Sequence, residues 1–244
     1  MTKRIILITG VGGKIGFSIA EKLQDNNILI GLTRSNIDSI TQRLKSFNEQ
    51  NLTIKCDLCN TCDIEDAFKI IQGKFDRLDL VINAAGYNSL AKFGDLSSIS
   101  NETVSQILNT NLIGPFLVIK ESVKLLHNST DPLVINISSI SGMKASKSNP
   151  IYGASKAGLD LLTKTLALHL APIRIVGIAP GTLDYPTSGI KMRDKEKYYQ
   201  NMKDRSPLKI LGTCDDVARL VLSIVNNMPI LTGQTIVLDG GLSL

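Results

Sequence analysis

A tyrosine and a lysine stand four residues apart in Tyr152-Gly153-Ala154-Ser155-Lys156, and Ser139 lies thirteen residues upstream, just past an apolar run. On a helix, positions i and i+4 project from one face a turn apart, so this spacing sets an ammonium beside a phenol. A free phenol titrates at about 10 and exchanges its proton slowly at neutral pH. Bringing it to about 7 takes roughly 4 kcal/mol of preferential stabilisation of the phenolate. One cation at about 4 Å supplies that order where the effective dielectric is about 20. The pair reads as a tuned acid/base and the chain as an enzyme, with Ser139 as the hydroxyl partner and Ser138 as its alternative. Tyr and Lys at this spacing also fall by chance on solvated helix faces, so the reading depends on the elements around them.

Those elements alternate. Apolar runs at 4–9, 28–32, 52–54, 80–82, 133–137, 173–178 and 235–238 read as strands, the first of them apolar enough for burial on both faces. Ile15, Ile19 and Leu23 mark one helix stripe, and Ile37, Ile40, Leu44 and Phe47 the next. Helical patterns also cover 64–71, about 104–126 and 152–170, the last with Leu159, Leu162 and Leu166 on its expected buried side. Strands spaced by helices give a parallel sheet with right-handed crossovers. The expected fold class is therefore α/β: a single Rossmann-like, doubly wound parallel sheet with helices on both faces, occupying 1–244 as one domain. Residues 182–212 are charged and weakly periodic, and are the expected substrate lid.

Between the first strand and the first helix lies Thr9-Gly10-Val11-Gly12-Gly13-Lys14-Ile15-Gly16. Glycines allow a tight turn and close backbone approach to a pyrophosphate, and the helix start offers N–H groups and a positive dipole end. A dinucleotide is the expected cofactor. An acid after the second strand would bind the ribose hydroxyls of NAD. Here Leu32-Thr33-Arg34-Ser35 has none, and Arg34 can fork onto a 2′-phosphate. NADP(H) is expected in preference to NAD(H), although an arginine that only stacks on adenine would serve either.

The chain resembles the short-chain dehydrogenase/reductase family along its whole length. The glycine turn, from Gly10 through Gly12, Gly13, Lys14 and Ile15 to Gly16, is similar to the family's Thr-Gly-x-x-x-Gly-x-Gly. Asp57-Leu58 resembles the acidic position at the adenine, and Asn83-Ala84-Ala85-Gly86 the Asn-Asn-Ala-Gly strand end. Asn111, Ser139, Tyr152 and Lys156 match the catalytic tetrad. Pro180-Gly181, followed by Thr182, resembles the turn beside the nicotinamide, and Leu231-Thr232-Gly233-Gln234 the approach to the last strand.

The resemblance implies that Tyr152 exchanges a proton with the substrate oxygen, Ser139 hydrogen-bonds that oxygen, and Lys156 holds the nicotinamide ribose and lowers the phenol pKa. It implies that Asn111 anchors a water, and that hydride passes between nicotinamide and substrate carbon. It also implies a homo-oligomer, tetramer or dimer, built through the two long helices. The substrate expected is a ketone or secondary alcohol, small or acyl-type. Ser206-Pro207-Leu208 and the Gly-Gly tail are similar to 3-oxoacyl-carrier-protein reductases, but the stretch 87–100 is not. A non-catalytic NADP-binding regulator is the alternative of another class. Three departures stand out: Lys14 in place of a glycine, Ala84 in place of the second Asn, and Tyr185 where the family often has a Thr bonding the nicotinamide amide, a role open to Thr182 or Thr187.

The remaining features point less sharply. Cys56, Cys59 and Cys62 are spaced like part of an iron–sulfur run without a fourth local ligand, so free thiols and no metal are expected. His127 and His169 suit helix C-termini. A net charge of +5 is modest, its basic residues are dispersed, and no nucleic-acid module is present. No apolar run approaches the ~20 residues of a membrane span, and the start carries no signal-peptide pattern; a cytoplasmic protein is expected. The basic residues of 191–205, Lys195 and Lys197 among them, read as a solvated face or as a guide for an anionic substrate.

Overall fold

The computed structural model describes residues 3–89, 91–92, 94–146, 148–184 and 192–244, with side chains in the helix that opens at 192 described from 196 onward. Seven parallel strands form one sheet in the order β3-β2-β1-β4-β5-β6-β7. They are β1 (Ile5–Thr9), β2 (Ile28–Thr33), β3 (Leu52–Lys55), β4 (Leu80–Asn83), β5 (Leu133–Ile137), β6 (Arg174–Pro180) and β7 (Thr235–Leu238). Each begins and ends within two residues of the run that announced it.

The strands of the sheet centre are apolar at nearly every position because both faces are covered, with Thr9, Asn83 and Asn136 the polar exceptions in β1, β4 and β5. Along β1, Ile6 and Ile8 enter one core while Ile5 and Leu7 enter the other. The first core is closed by α1 (Lys14–Leu23), α2 (Ile37–Phe47) and α8 (Cys214–Asn227). The second is closed by α3 (Thr61–Gln72), α5 (Gly114–Leu126) and α6 (Pro150–His169). Two further helices, α4 (Asn101–Leu108) and α7 (Met192–Arg205), complete the described set.

Four local features depart from the sequence reading. The helical pattern at 104–126 is not continuous: α4 and α5 are joined by a π-helical turn, Asn109–Ile113. The buried side of α6 is not the leucine stripe. Leu159 is buried, but Leu162 and Leu166 are only half-buried, and Ser155, Lys156, Asp160 and Thr163 share the buried face. Weakly periodic 182–212 contains α7, whose exposed polar residues leave little apolar pattern to read. Finally, α8 had no counterpart in that reading. Its start is set by a reciprocal cap, in which Thr213 Oγ1 accepts from Asp216 N–H and Asp216 Oδ2 accepts from Thr213 N–H.

Candidate active site

The strand order reverses between β1 and β4, and the carboxyl ends of these strands flank the crevice that such a reversal creates. The glycine turn leaves β1 there. Gly10 takes φ +66° and runs so close to the exit of β4 that a Cβ would lie 2.6 Å from Ala85 Cα; only glycine fits both conditions. Gly16 packs against the Gly10 carbonyl in the same way, leaving no room for a side chain. Gly12 and Gly13 are exposed, and Gly13 begins α1 with no side-chain cap and no acid in the first turn. An uncapped, acid-free helix start behind bare backbone fits the pyrophosphate of a dinucleotide.

The other expected cofactor residues border the same edge. Lys14 is exposed at the first position of α1 with half-buried Ile15 beside it. The Lys14 charge is felt at Cys214, where it opposes the upward push of burial on that thiol; the side chain therefore belongs to the α8 side of the turn. Thr33 ends β2, buried, its hydroxyl donating to the Ser35 carbonyl at 2.9 Å, and Arg34 stands exposed beyond it. After β3, Asp57 Oδ1 accepts from the Cys59 N–H at 3.0 Å, and Leu58 is buried. After β6, Gly181 presses on Asp239, with Pro180 before it and Thr182 after. Tyr185, Thr187 and Lys191 lie outside the described residues, as do the side chains of Arg193, Asp194 and Lys195.

At the end of β4, Asn83 Nδ2 donates to Asn136 Oδ1 at 2.9 Å, across paired positions of β4 and β5. Asn136 Nδ2 donates in turn to Thr163 Oγ1 on α6, also at 2.9 Å. Asn83 Oδ1 is buried and without a hydrogen-bond partner in the protein, an acceptor left over at the crevice edge. Ala84, half-buried where the family has a second Asn, adds no polar group to this chain of amides.

The four residues of the expected tetrad come together from three elements. The π-helical turn carries Asn111, fully buried. Its Oδ1 accepts from Tyr87 N–H at 2.8 Å, and its Nδ2 donates to the Tyr87 carbonyl at 2.8 Å and to Ser155 Oγ at 3.1 Å. It thus clamps the chain leaving β4 onto α6. A Cβ on Gly86 would lie 3.7 Å from Asn111 Oδ1 and 3.9 Å from Lys156 Nζ, so both side chains border that glycine. Ser139 caps a short 3₁₀ turn after β5 and hydrogen-bonds the Tyr152 phenol. Ser138 turns the other way, donating to the Lys156 carbonyl at 3.3 Å.

The electrostatics differ from the sequence expectation. Burial pushes the Tyr152 phenol above its usual range, and the Ser139 hydrogen bond opposes that push without overcoming it. The lowered phenol expected from the lysine is not present in the protein alone. Lys156 Nζ sits 5.8 Å from the tyrosine ring centre and donates to the Ile137 carbonyl at 2.8 Å. Burial brings its own pKa down to about 8, and the charge of Asp160 opposes that fall.

The cysteine run does not gather as ligands would. Cys56 is buried and its thiol is pushed up to about 12 by burial and by Asp63 and Asp57. Cys62 is exposed on α3. Among the described residues no three His, Cys, Asp or Glu side chains group as a metal site. No described helix is long and apolar enough to cross a membrane. His127 caps the C-terminus of α5 and His169 closes α6.

A phosphate-fitting turn at the switch point of a parallel sheet, beside a serine, a tyrosine and a buried lysine, defines a class: an oxidoreductase that works with a nicotinamide dinucleotide. A family model described as Enoyl-(Acyl carrier protein) reductase matches residues 10–243, and the chain belongs to the short-chain dehydrogenase/reductase family. A 3-oxoacyl-(acyl-carrier-protein) reductase of Homo sapiens is 26% identical over 243 residues, covering 99% of this chain and 98% of that one. Among solved structures, the Pseudomonas aeruginosa RhlG/NADP active-site complex superposes with a TM-score of 0.87 at 25% identity, covering 100% of this chain and 98% of the other. A 3-oxoacyl-(acyl-carrier protein) reductase from Brucella melitensis in complex with NAD gives the same TM-score, identity and coverage.

Proposed function

We propose that this protein is an NADP(H)-dependent carbonyl reductase or alcohol dehydrogenase, a single catalytic domain in which Tyr152 moves the proton at the substrate oxygen. The observation that carries the reading is the meeting of Ser139, the Tyr152 phenol and the Lys156 ammonium, 5.8 Å from the tyrosine ring centre, at the crevice that the glycine turn borders. When bound, the nicotinamide donates or accepts the hydride at the substrate carbon. Tyr152 gives its proton to the carbonyl oxygen in reduction and takes it from the alcohol in oxidation. Ser139 hydrogen-bonds the same oxygen and orients it. Lys156, with a pKa of about 8, is cationic at neutral pH and supports negative charge on the phenol. Asn111 holds the floor of the site by fixing the backbone of Tyr87. In this reading burial keeps Tyr152 in its protonated form at neutral pH, the form that reduction requires.

Arg34 is the residue we assign to the 2′-phosphate, because it is exposed beyond β2 where NAD enzymes carry an acid, while Lys14 is on the α8 side of the turn. The substrate class that the relatives support is an acyl-type ketone. At the end of the stretch read as the lid, Ser206 is fully buried with its Oγ donating to the Gly240 carbonyl at 2.8 Å, and Lys203 pairs with Asp184 at 3.4 Å. The oligomer is assigned to α5 and α6, which expose Ile113, just ahead of α5, and Phe116 on one side and Leu161 and Leu168 on the other.

Turnover tests the function. Tyr152→Phe is expected to lower NADPH oxidation with a ketone panel by at least about 10³-fold while leaving NADPH affinity within a few-fold of the parent. A parent that binds NADPH and turns over nothing across the panel would favour a regulatory cofactor binder instead. In the same assay Arg34→Asp is expected to weaken NADPH far more than NADH, because one charge-assisted fork is lost and a repulsion takes its place.

A further inference from the structure

The buried face of α6 carries a second charge that the proton transfer does not use. Asp160 is only 9% exposed, one helical turn beyond Lys156 and on the same side of the helix. Its Oδ1 accepts from Thr235 Oγ1 on β7 at 3.1 Å. Its Oδ2 is buried and has no hydrogen-bond partner. The pair with Thr235 has room because β6 is bare at this point: a Cβ on Gly177 would collide with the Thr235 hydroxyl. Ser138, next in sequence to Ser139, closes the other side; its hydroxyl donates to the Lys156 carbonyl and lies near enough to the carboxylate to favour its charged form.

We propose that Asp160 is a positioning residue that acts through Lys156: an ionised carboxylate whose field keeps the buried lysine ammonium charged in the working pH range. The inference rests on the reading of Lys156 as part of the site. Three observations carry it. First, a lysine 3% exposed loses most of its hydration, so its charge depends on what the protein supplies. Second, the Ile137 carbonyl is the hydrogen-bond partner of Nζ, and a neutral amine could donate to it equally well. Third, among the described residues Asp160 is the one carboxylate whose charge acts on Lys156, from one helical turn away on the same buried face.

The groups facing Asp160 account for its ionisation. Lys156 and Lys164 on α6 contribute positive charge, Lys164 from an exposed position; Ser138 after β5 and Thr235 on β7 contribute hydroxyl dipoles. Burial pushes the carboxyl the other way, toward the neutral acid. In the proposed arrangement the two lysines and the two hydroxyls together keep the carboxyl ionised against that push.

The test is direct titration of Lys156 in the cofactor-free protein, by NMR of side-chain-labelled lysine, with Lys156→Met identifying the resonance. In Asp160→Asn, which keeps shape and hydrogen bonding to Thr235, the Lys156 midpoint is expected to fall by about one pH unit or more, from Coulomb attraction over one helical turn at an effective dielectric of about 20. Asp160→Glu is expected to restore most of the shift. Thr235→Val keeps the carboxylate, removes one dipole and is expected to move the midpoint part of the way. The alkaline limb of kcat/KM for ketone reduction is expected to move down by the same amount in Asp160→Asn, with far-UV circular dichroism unchanged. An unchanged Lys156 midpoint in Asp160→Asn would mean that the acid is neutral, and would overturn the proposal. Loss of catalysis in the parent, by contrast, would sink the functional reading while leaving the lysine titration interpretable.

Discussion

At the scale of single residues, the site is governed by burial rather than by the pairing that the Tyr152–Lys156 spacing suggested. Both titrating groups are shifted against ionisation: the phenol upward, the ammonium down to about 8. A lysine whose folded pKa lies below its unfolded value of 10.5 destabilises the fold wherever both states are charged. The penalty is fully present below pH 8. It diminishes as pH rises from about 8 toward 10.5, because across that window the unfolded chain still holds the proton that the folded chain has released. The shift corresponds to about 3 kcal/mol, part of which the Ile137 hydrogen bond returns. Lys156→Met should therefore abolish turnover yet raise the unfolding free energy at pH 7 by roughly 1–2 kcal/mol. Urea denaturation at pH 7 and pH 10 would show it, with the gain over the parent smaller at the higher pH. A variant less stable than the parent at pH 7 would mean that the lysine is not strained by its burial. The residue types and their spacing were legible in the sequence; the sign of the phenol shift was not, because it depends on how much water the surrounding elements exclude.

At the scale of elements, the reading succeeded where apolar pattern and sheet geometry coincide and failed where a helix faces the core with polar groups. The strands were legible because a parallel strand covered on both faces is apolar at nearly every position, as β1 and β5 are apart from Thr9 and Asn136. The orientation of α6 was not legible, because the face turned inward carries Lys156, Asp160 and Thr163 beside Leu159, while the other leucines occupy the flanks and the outside. The π-helical turn was hidden for a related reason: its five residues read as helix, and what breaks the pattern is the tertiary clamp of Asn111 on Tyr87 and Ser155. The start of α8 did leave a signal, Thr213 and Asp216 in capping-box spacing ahead of Val217, Val221 and Ile224. That cap supports more than one helix, because α8 packs with α1, whose N-terminus faces the crevice, and Lys22 of α1 pairs with Asp215 at 2.8 Å. Thr213→Ala should cost about 1 kcal/mol. That corresponds to a drop of roughly 2–4 °C in the calorimetric midpoint for a chain of this length. Thr213→Ser should recover most of it; an alanine variant that melts with the parent would show that the cap contributes nothing.

At the scale of the whole molecule, the distribution of apolar surface is uneven in a way that a monomer does not require. On α6 the residues at Ala154, Ala157, Leu161 and Leu168 are exposed and fall at helical spacing along one line, with Leu161 65% and Leu168 83% exposed. On the neighbouring α5 and the turn before it, Phe116 and Ile113 are also exposed, 42% and 44%. Scattered apolar side chains are ordinary on any surface, but a stripe shared by two adjacent helices is the kind of patch that a second subunit covers. The same helices hold Asn111, Tyr152 and Lys156 on their inner sides, so a subunit packed against their outer sides would stiffen the site from behind. If two copies of the chain meet through this stripe, the same patch serves on both and the contact is two-fold. Replacing Leu161 and Leu168 together by glutamate should then convert the oligomer to a smaller species in light scattering after gel filtration. The isolated fold should persist, since neither side chain contributes to either core. Turnover should fall with dissociation and recover at high protein concentration if the loss comes from softened helices rather than from the charges themselves. A parent that runs as a monomer at micromolar concentration, or a double variant that stays assembled, would remove this face as the contact and leave the leucines unexplained.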